Sequence, residues 1–291
     1  MLVVTGATGR LGRQVVDALL ARVPAERIAV SVREPQSAQD LQVRGVRVRR
    51  GDFTEPASLE HAFEGATRVL IVSMGQLGEV ADRGHRAAID AAAAVGVERV
   101  VYTSHMGVGA DSAFPPMRQH AATEEALTAS GIPFTTLRNG FYASSAAQLF
   151  GPALLAGELR VPEDGPVAWT AHADLAEAAA IALTRDALTG VTPALTAAGG
   201  VDTAGIAAIA SELSGRTVRH VTVPDAEYRA GLLERGTPEP AADMLVGLFV
   251  ASRRGDFSPA DPTLGRLLAR APASLRDVLA PALHPAPASP A

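Results

Sequence analysis

The first twenty residues constrain this chain more than any other stretch. Leu2-Val3-Val4-Thr5 is a short apolar, β-branched run of the kind that fills a buried strand. Gly6, Gly9 and Gly12 follow at G-x-x-G-x-x-G spacing, within Thr5-Gly6-Ala7-Thr8-Gly9-Arg10-Leu11-Gly12. Leu11, Val15, Val16, Leu19 and Leu20 then recur at helical spacing. Strand, glycine turn and helix, in that order, give such a triplet its meaning. Gly6 lets the chain turn sharply out of the strand, Gly9 lets the backbone approach a pyrophosphate, and Gly12 lets the helix pack close to the sheet. The helix N-terminus presents N–H groups and a partial positive charge to the phosphates. The context favours a dinucleotide-binding turn, with Thr8, Arg10 and Leu11 beside the glycines, over a plain strand-to-helix turn.

A second strand is expected over 27–33, ending in Val30-Ser31-Val32-Arg33. At about 20 residues past the glycine turn, an NAD-preferring site places an acid on the ribose 2′-hydroxyl. Arg33 holds that place and suits a 2′-phosphate, so NADPH is favoured; Glu34 keeps NADH use open. Arg10 is within reach of the same phosphate. A third strand, 46–50, closes in Gly51-Asp52-Phe53. Asp52 either contacts the adenine amino group or caps its own turn, and Phe53 flanks the ring. The strand over 68–72 runs into Ser73-Met74-Gly75-Gln76, placed beside the cofactor because ligands of open α/β sheets bind outside the carboxyl ends of strands. Strand 99–103 ends in Thr103-Ser104-His105, and strand 134–137 in Arg138-Asn139-Gly140-Phe141-Tyr142. Thr103, Ser104, Asn139, Gly140 and Phe141 are therefore also expected along the cofactor. Helices over 35–43, 56–63, 80–95 and 117–129 alternate with these strands. The pattern is that of an α/β doubly wound parallel sheet, a Rossmann fold, of five or six strands.

Beyond about residue 145 the alternation loosens. Residues 150–158 read as short and Gly/Pro-punctuated, and 167–170 as a strand. Asp174, with Glu177 three residues on, reads as a helix N-cap. Helices over 204–213 and 225–235 flank a strand over 219–223. The expected division is a dinucleotide-binding domain over 1–145, then a smaller α/β lobe over 146–283, covering the substrate and interleaved with the main sheet. A Pro/Ala-rich disordered tail is expected over 284–291. No internal repeat is present.

Composition closes several routes. The chain of 291 residues has net charge −5, which argues against a broad basic face for nucleic acid. It has no cysteine, hence no disulfide, thiolate metal site or cysteine nucleophile. It has no lysine either; every basic residue in the count of Lys and Arg is arginine. That excludes Schiff-base chemistry and a Tyr-Lys proton relay. The histidines at 61, 85, 105, 120, 172, 220 and 284 show no metal-ligand pairing, so no metal is expected. Glu124 and Glu125, on a predicted helix, read as a solvated face. No run of about 18 apolar residues and no charged-then-apolar leader is present, so a soluble, cytoplasmic protein without membrane contact is expected.

Several of these stretches resemble the atypical short-chain dehydrogenase/reductases, and within them the NmrA-like branch of the NAD(P)H:quinone oxidoreductase type. The matching residues are 5–12, Val32-Arg33-Glu34-Pro35, Tyr102-Thr103-Ser104, Thr123 to Leu127, Ser130-Gly131-Ile132-Pro133, Leu137 to Tyr142, Asp174-Leu175-Ala176 and Ala241 to Leu245. The resemblance implies a Rossmann fold and an NAD(P)H-dependent oxidoreductase without the usual Tyr-x-x-x-Lys. Tyr102, Tyr142 and Tyr228 are followed four residues on by Met106, Ala146 and Leu232. Where many NmrA-like enzymes place a lysine, eleven residues before the glycine of Ser-Gly-Ile-Pro, this chain has His120. The quinone-reductase type accommodates a histidine there.

Hydride transfer to a quinone or similar conjugated carbonyl asks little acid–base chemistry of a protein, which supplies orientation. His120 is expected to hold the nicotinamide ribose or to donate a proton to the developing quinol oxygen, for which an ordinary histidine titrates in the right range. His105, at a strand end, is a second candidate, and Tyr142 is expected to stack on or hydrogen-bond the substrate. Two rivals stand beside this reading: a dinucleotide-binding redox sensor without turnover, and a biosynthetic reductase of an aromatic or polyketide-type substrate. The expected partner is a small molecule; a homodimer is left open.

Overall fold

The structure, a computed structural model, describes residues 1–283. The expected tail over 284–291 lies outside the described residues. In chain order, β1 (Leu2–Thr5), α1 (Arg10–Leu20), β2 (Ile28–Val32), α2 (Gln39–Val43), β3 (Arg47–Arg50), α3 (Pro56–Phe63), β4 (Arg68–Ile71), α4 (Glu79–Ala94), β5 (Arg99–His105), α5 (Pro115–Ser130) and β6 (Phe134–Asn139) alternate strictly. After them come β7 (Phe141–Tyr142), α6 (Ala143–Ala156), β8 (Glu158–Val161), β9 (Trp169–Thr170), α7 (His172–Thr184) and β10 (Gly190–Val191). The chain continues as α8 (Thr203–Ser214), β11 (Arg219–Thr222), α9 (Asp225–Glu234), α10 (Glu239–Arg253), α11 (Thr263–Leu268) and α12 (Leu275–Leu283).

The contacts divide the chain into two compact units. The first takes Met1–Ala110, Pro116–Asn139 and His172–Leu195. Its sheet has seven strands in the order β10-β6-β5-β4-β1-β2-β3, every pair parallel. Order reverses at β1, which pairs with β2 on one side and β4 on the other. That reversal opens a crevice outside the carboxyl ends of the strands, the place where such sheets bind ligands. Helices cover both faces: α3, α4 and α5 bury Phe63, Ile89 and Leu127 against one, while α1 and α7 pack together on the other. Burial on both sides explains why β1 and β2 are mostly apolar, buried at every position, and do not alternate apolar with polar. The seventh strand, β10, went unread because it has only two residues. Helix α7 begins two residues before the expected cap, so Asp174 sits inside its first turn, buried.

The second unit takes Asp111–Pro115, Gly140–Ala171 and the described residues from Thr196 to 283. It carries two short parallel pairs, β7 with β9 and β8 with β11. An aromatic core gathers Phe141, Trp169, Phe257 and Phe114, with ring centroids 5.1–6.0 Å apart. The Gly/Pro-punctuated stretch at 150–158 is mostly helix: α6 runs through Pro152 and stops at Gly157, which adopts a left-handed conformation. Among the described residues, no helix is long and apolar enough to cross a membrane.

Candidate active site

The glycine turn is built as three interlocked positions. Gly6 leaves β1 at φ +61°, a conformation that L side chains rarely adopt, and its carbonyl accepts the Gly9 N–H at 2.9 Å. A Cβ on Gly12 would overlap the Gly6 carbonyl oxygen and come within 2.7 Å of its carbon. Gly12 thus lets the first turn of α1 lie directly against the glycine turn. Gly9 caps α1 without a side-chain hydrogen bond, and no acid stands in the first turn to answer the positive helix end. Thr8 and Arg10 are exposed there, whereas the Leu11 side chain is buried.

This turn forms one wall of a cleft of about 400 Å³ in the first unit. Ser31 and Arg33 at the end of β2, Asp52 and Phe53 after β3, and Ser73 and Met74 after β4 line the rest. Five strand-end positions expected to meet a dinucleotide, Arg33, Asp52, Phe53, Ser73 and Met74, therefore share one cleft with Gly6 and Gly9. Arg33 is exposed on its rim. Asp52 caps its own turn, its Oδ1 accepting from the Thr54 N–H and hydroxyl, each at 2.8 Å. Burial pushes the Asp52 carboxyl up, but the Thr54 bonds and the Arg33 and Arg50 charges outweigh it and hold the group below the usual carboxylate range. The cleft fits a dinucleotide on two counts. Its glycine turn is closely packed, with a Cβ on Gly6 coming within 3.1 Å of Val72 and one on Gly9 within 3.3 Å of the Gly6 carbonyl, and the Ser31 hydroxyl, buried in the wall, has no partner among the described residues.

The segment after β4 is held by its main chain. The Val72 N–H donates to Thr5 Oγ1 at 2.9 Å, the Ser73 N–H to Thr103 Oγ1 at 2.8 Å, and the Met74 N–H to His85 Nε2 at 2.9 Å. Three elements, β1, β5 and α4, each supply one acceptor. The Thr103 hydroxyl is thereby engaged in shaping the cleft. The Ser104 hydroxyl donates to Glu124 Oε1 at 2.6 Å, and Arg138 grips the same carboxylate through two nitrogens at 3.1 and 2.7 Å. Glu124 is therefore not on a solvated face, as the sequence pattern suggested; it is buried because β5 and β6 bring it a hydroxyl and a guanidinium, while Glu125 stays exposed.

His85, Tyr102, His120 and His105 form a chain of rings in the first unit, with centroids 5.5, 5.8 and 6.1 Å apart. The Tyr102 hydroxyl and His120 Nδ1 are 2.9 Å apart, and His105 Nδ1 accepts the Gly107 N–H at 3.0 Å. Burial pushes His120 from 6.5 to about 4, with His85 adding to the shift and Glu124 opposing it. Burial, and His120 beside it, push His105 well below 6.5. Both rings are neutral near pH 7, which corrects the expectation that His120 titrates where a proton donor should. Asn139, at the end of β6, is buried, and its Oδ1 has no partner among the described residues. Gly140, Phe141 and Tyr142 belong to the second unit. Phe141 is buried in its aromatic core, Tyr142 is half-buried at the start of α6, and a Cβ on Gly140 would overlap Thr170 Oγ1.

Sequence reasoning missed His85 and Tyr102. The available signal for His85 was its place on the apolar stripe of α4, with Ala81, Ala88 and Ala92. A polar residue there must find partners inside the protein.

A cleft at the switch point of a doubly wound sheet, cradled by glycines, defines a dinucleotide-binding α/β protein. Residues 6–186 match the family described as NAD(P)H-binding. The chain is similar to quinone oxidoreductase 2 of Escherichia coli (strain K12), 34% identical over 92% of this chain and 93% of the relative. It is also 30% identical to an NmrA-like family domain-containing oxidoreductase of Aspergillus flavus, over 95% and 92% of the two chains. Among solved structures, an NADPH-dependent quinone oxidoreductase from Escherichia coli complexed with NADPH superposes with a TM-score of 0.90 at 33% identity, covering 96% of this chain and 98% of that one. The chain belongs to the NAD(P)H-binding, NmrA-like family.

Proposed function

We propose that this protein is an NADPH-dependent oxidoreductase that passes hydride to a quinone or similar conjugated carbonyl. The glycine turn and the N-terminus of α1 would hold the pyrophosphate, Arg33 the 2′-phosphate, and Asp52, Phe53 and Met74 the adenosine half. Reduced nicotinamide, when bound, supplies the hydride. The observation that carries the acceptor class is the Tyr102–His120–His105 ring chain, whose burial pushes both histidines below their ordinary range, in a chain without lysine. An alkoxide formed from a simple ketone needs an acid beside it, whereas a reduced quinone spreads its charge over a conjugated ring and takes protons from solvent. His120, neutral and hydrogen-bonded to Tyr102, is suited to orient ribose or acceptor rather than to protonate it. Tyr142 and Asn139 are further candidates for substrate and cofactor contacts. The same proposal carries a small-molecule partner, no nucleic acid and a cytoplasmic setting.

The test is reduced-nicotinamide absorbance followed with a panel of quinones, alongside calorimetric binding of NADPH. Turnover is expected, with His120→Ala lowering it roughly tenfold to a hundredfold while the chain stays folded. Tight NADPH binding with no turnover on any quinone would instead favour a redox sensor.

A further inference from the structure

We propose that His85 is a positioning residue for dinucleotide binding: it holds the Met74 main chain and the Phe53 ring in place as the cleft wall, and ties that wall to the Tyr102–His120 pair. The inference rests on the dinucleotide reading above.

His85 lies behind the cleft and does not line it. Its Nε2 accepts the Met74 N–H at 2.9 Å, and a backbone amide can only donate, so the proton of the neutral ring is on Nδ1. That Nδ1–H donates to Thr123 Oγ1 at 2.9 Å, and the Thr123 hydroxyl donates onward to the Gln119 carbonyl at 3.0 Å. Both ring nitrogens are therefore committed, and the ring cannot flip without breaking two buried bonds. On the cleft side, Phe53 meets His85 edge-on at 6.3 Å. The Met74 side chain lies over Gly84, where a Cβ would come within 2.5 Å of its sulfur and 3.2 Å of Phe53 Cβ. On the far side, Tyr102 meets the same imidazole at 5.5 Å, and Thr123 stands one helical turn from His120 on α5.

The choice of histidine follows from reach. The amides of Val72 and Ser73 find hydroxyls on the strands flanking β4. The next amide points toward α4, where a short hydroxyl would not span the gap. A side chain there must carry an acceptor at its tip and stay neutral. Desolvation keeps His85 in that state, pushing it from 6.5 to about 4. A residue that only filled the core would affect stability alone; one that aims Met74 and Phe53 also affects ligand affinity in the folded state.

The test measures calorimetric affinity for two probes, NADPH and adenosine 2′,5′-bisphosphate, well below the melting temperature of each variant. His85→Leu removes both hydrogen bonds and is expected to weaken both probes roughly tenfold, since the Met74 N–H loses its buried acceptor. His85→Gln is expected to recover most of that loss, because its side-chain carbonyl reaches the place of Nε2. Thr123→Val, which keeps the ring but removes its acceptor, is expected to weaken binding a few-fold, and it carries the test if the leucine variant does not fold. Unchanged affinity in folded His85→Leu, or in Thr123→Val, overturns the inference, as does a glutamine variant no better than leucine. A wild-type chain that binds neither probe overturns the dinucleotide reading and this inference together.

Discussion

Arg33 is the residue proposed to decide cofactor choice. It ends the β2 segment, is exposed on the cleft rim, and its charge reaches Asp52 across the cleft. Arg33→Asp should weaken NADPH far more than NADH, because it removes a charge-assisted contact to the 2′-phosphate and adds repulsion. A difference of roughly tenfold to a hundredfold between the two cofactors is expected in calorimetric titration; equal loss would remove Arg33 from the site. The place of Arg33 on the cleft was legible in the sequence, since an arginine at a β2 end can be counted from the glycine turn. Sequence pattern did not suffice for His120, whose pKa depends on burial and ring neighbours that only the folded chain supplies.

The unit of function at the next scale is strand, turn and helix together. Gly12 belongs to α1, but its missing Cβ makes room for the carbonyl of Gly6 in the turn. Gly12→Ala must push helix and turn apart, so a loss of about 1–3 kcal/mol in urea unfolding is expected. Nucleotide affinity should fall alongside it, because the N–H groups proposed to meet the pyrophosphate move with the helix. A variant that loses neither stability nor affinity would contradict this geometry. Elements of the second unit were less legible for a reason their own residues show. Pro152 within α6 looks like a break, and Gly247 inside α10 looks like a loop residue. A Cβ at Gly247 would overlap the Ala113 carbonyl, so that glycine serves close packing and not a turn.

Across the whole molecule, histidines that fold into neutral, buried places make stability depend on pH. His85 and His120 titrate at about 4 when folded, against 6.5 as the ordinary value. Between those values the unfolded chain binds more protons, so stability rises with pH through the window. Their contribution is fully present above 6.5 and is lost as pH falls toward 4, by up to about 1.4 kcal/mol per pH unit for each histidine. Urea midpoints measured from pH 7 down to pH 4.5 should fall steadily. His85→Gln, without an ionisable ring, should flatten the slope; a slope unchanged by the substitution would count against a buried neutral His85.

The amino-acid order by itself determined the alternating strands and helices of the first unit, the glycine turn and the basic cofactor rim. Each rests on local spacing: apolar runs where both faces of a strand are covered, and glycines where a Cβ has no room. The tertiary structure alone decided which side chains meet. It placed Glu124 between Ser104 and Arg138, stacked His105 on His120, set His85 behind Met74, and assigned 172–195 to the first unit. Those outcomes depend on residues far apart in the chain, whose desolvation and hydrogen bonding exist only once the sheet has brought them together.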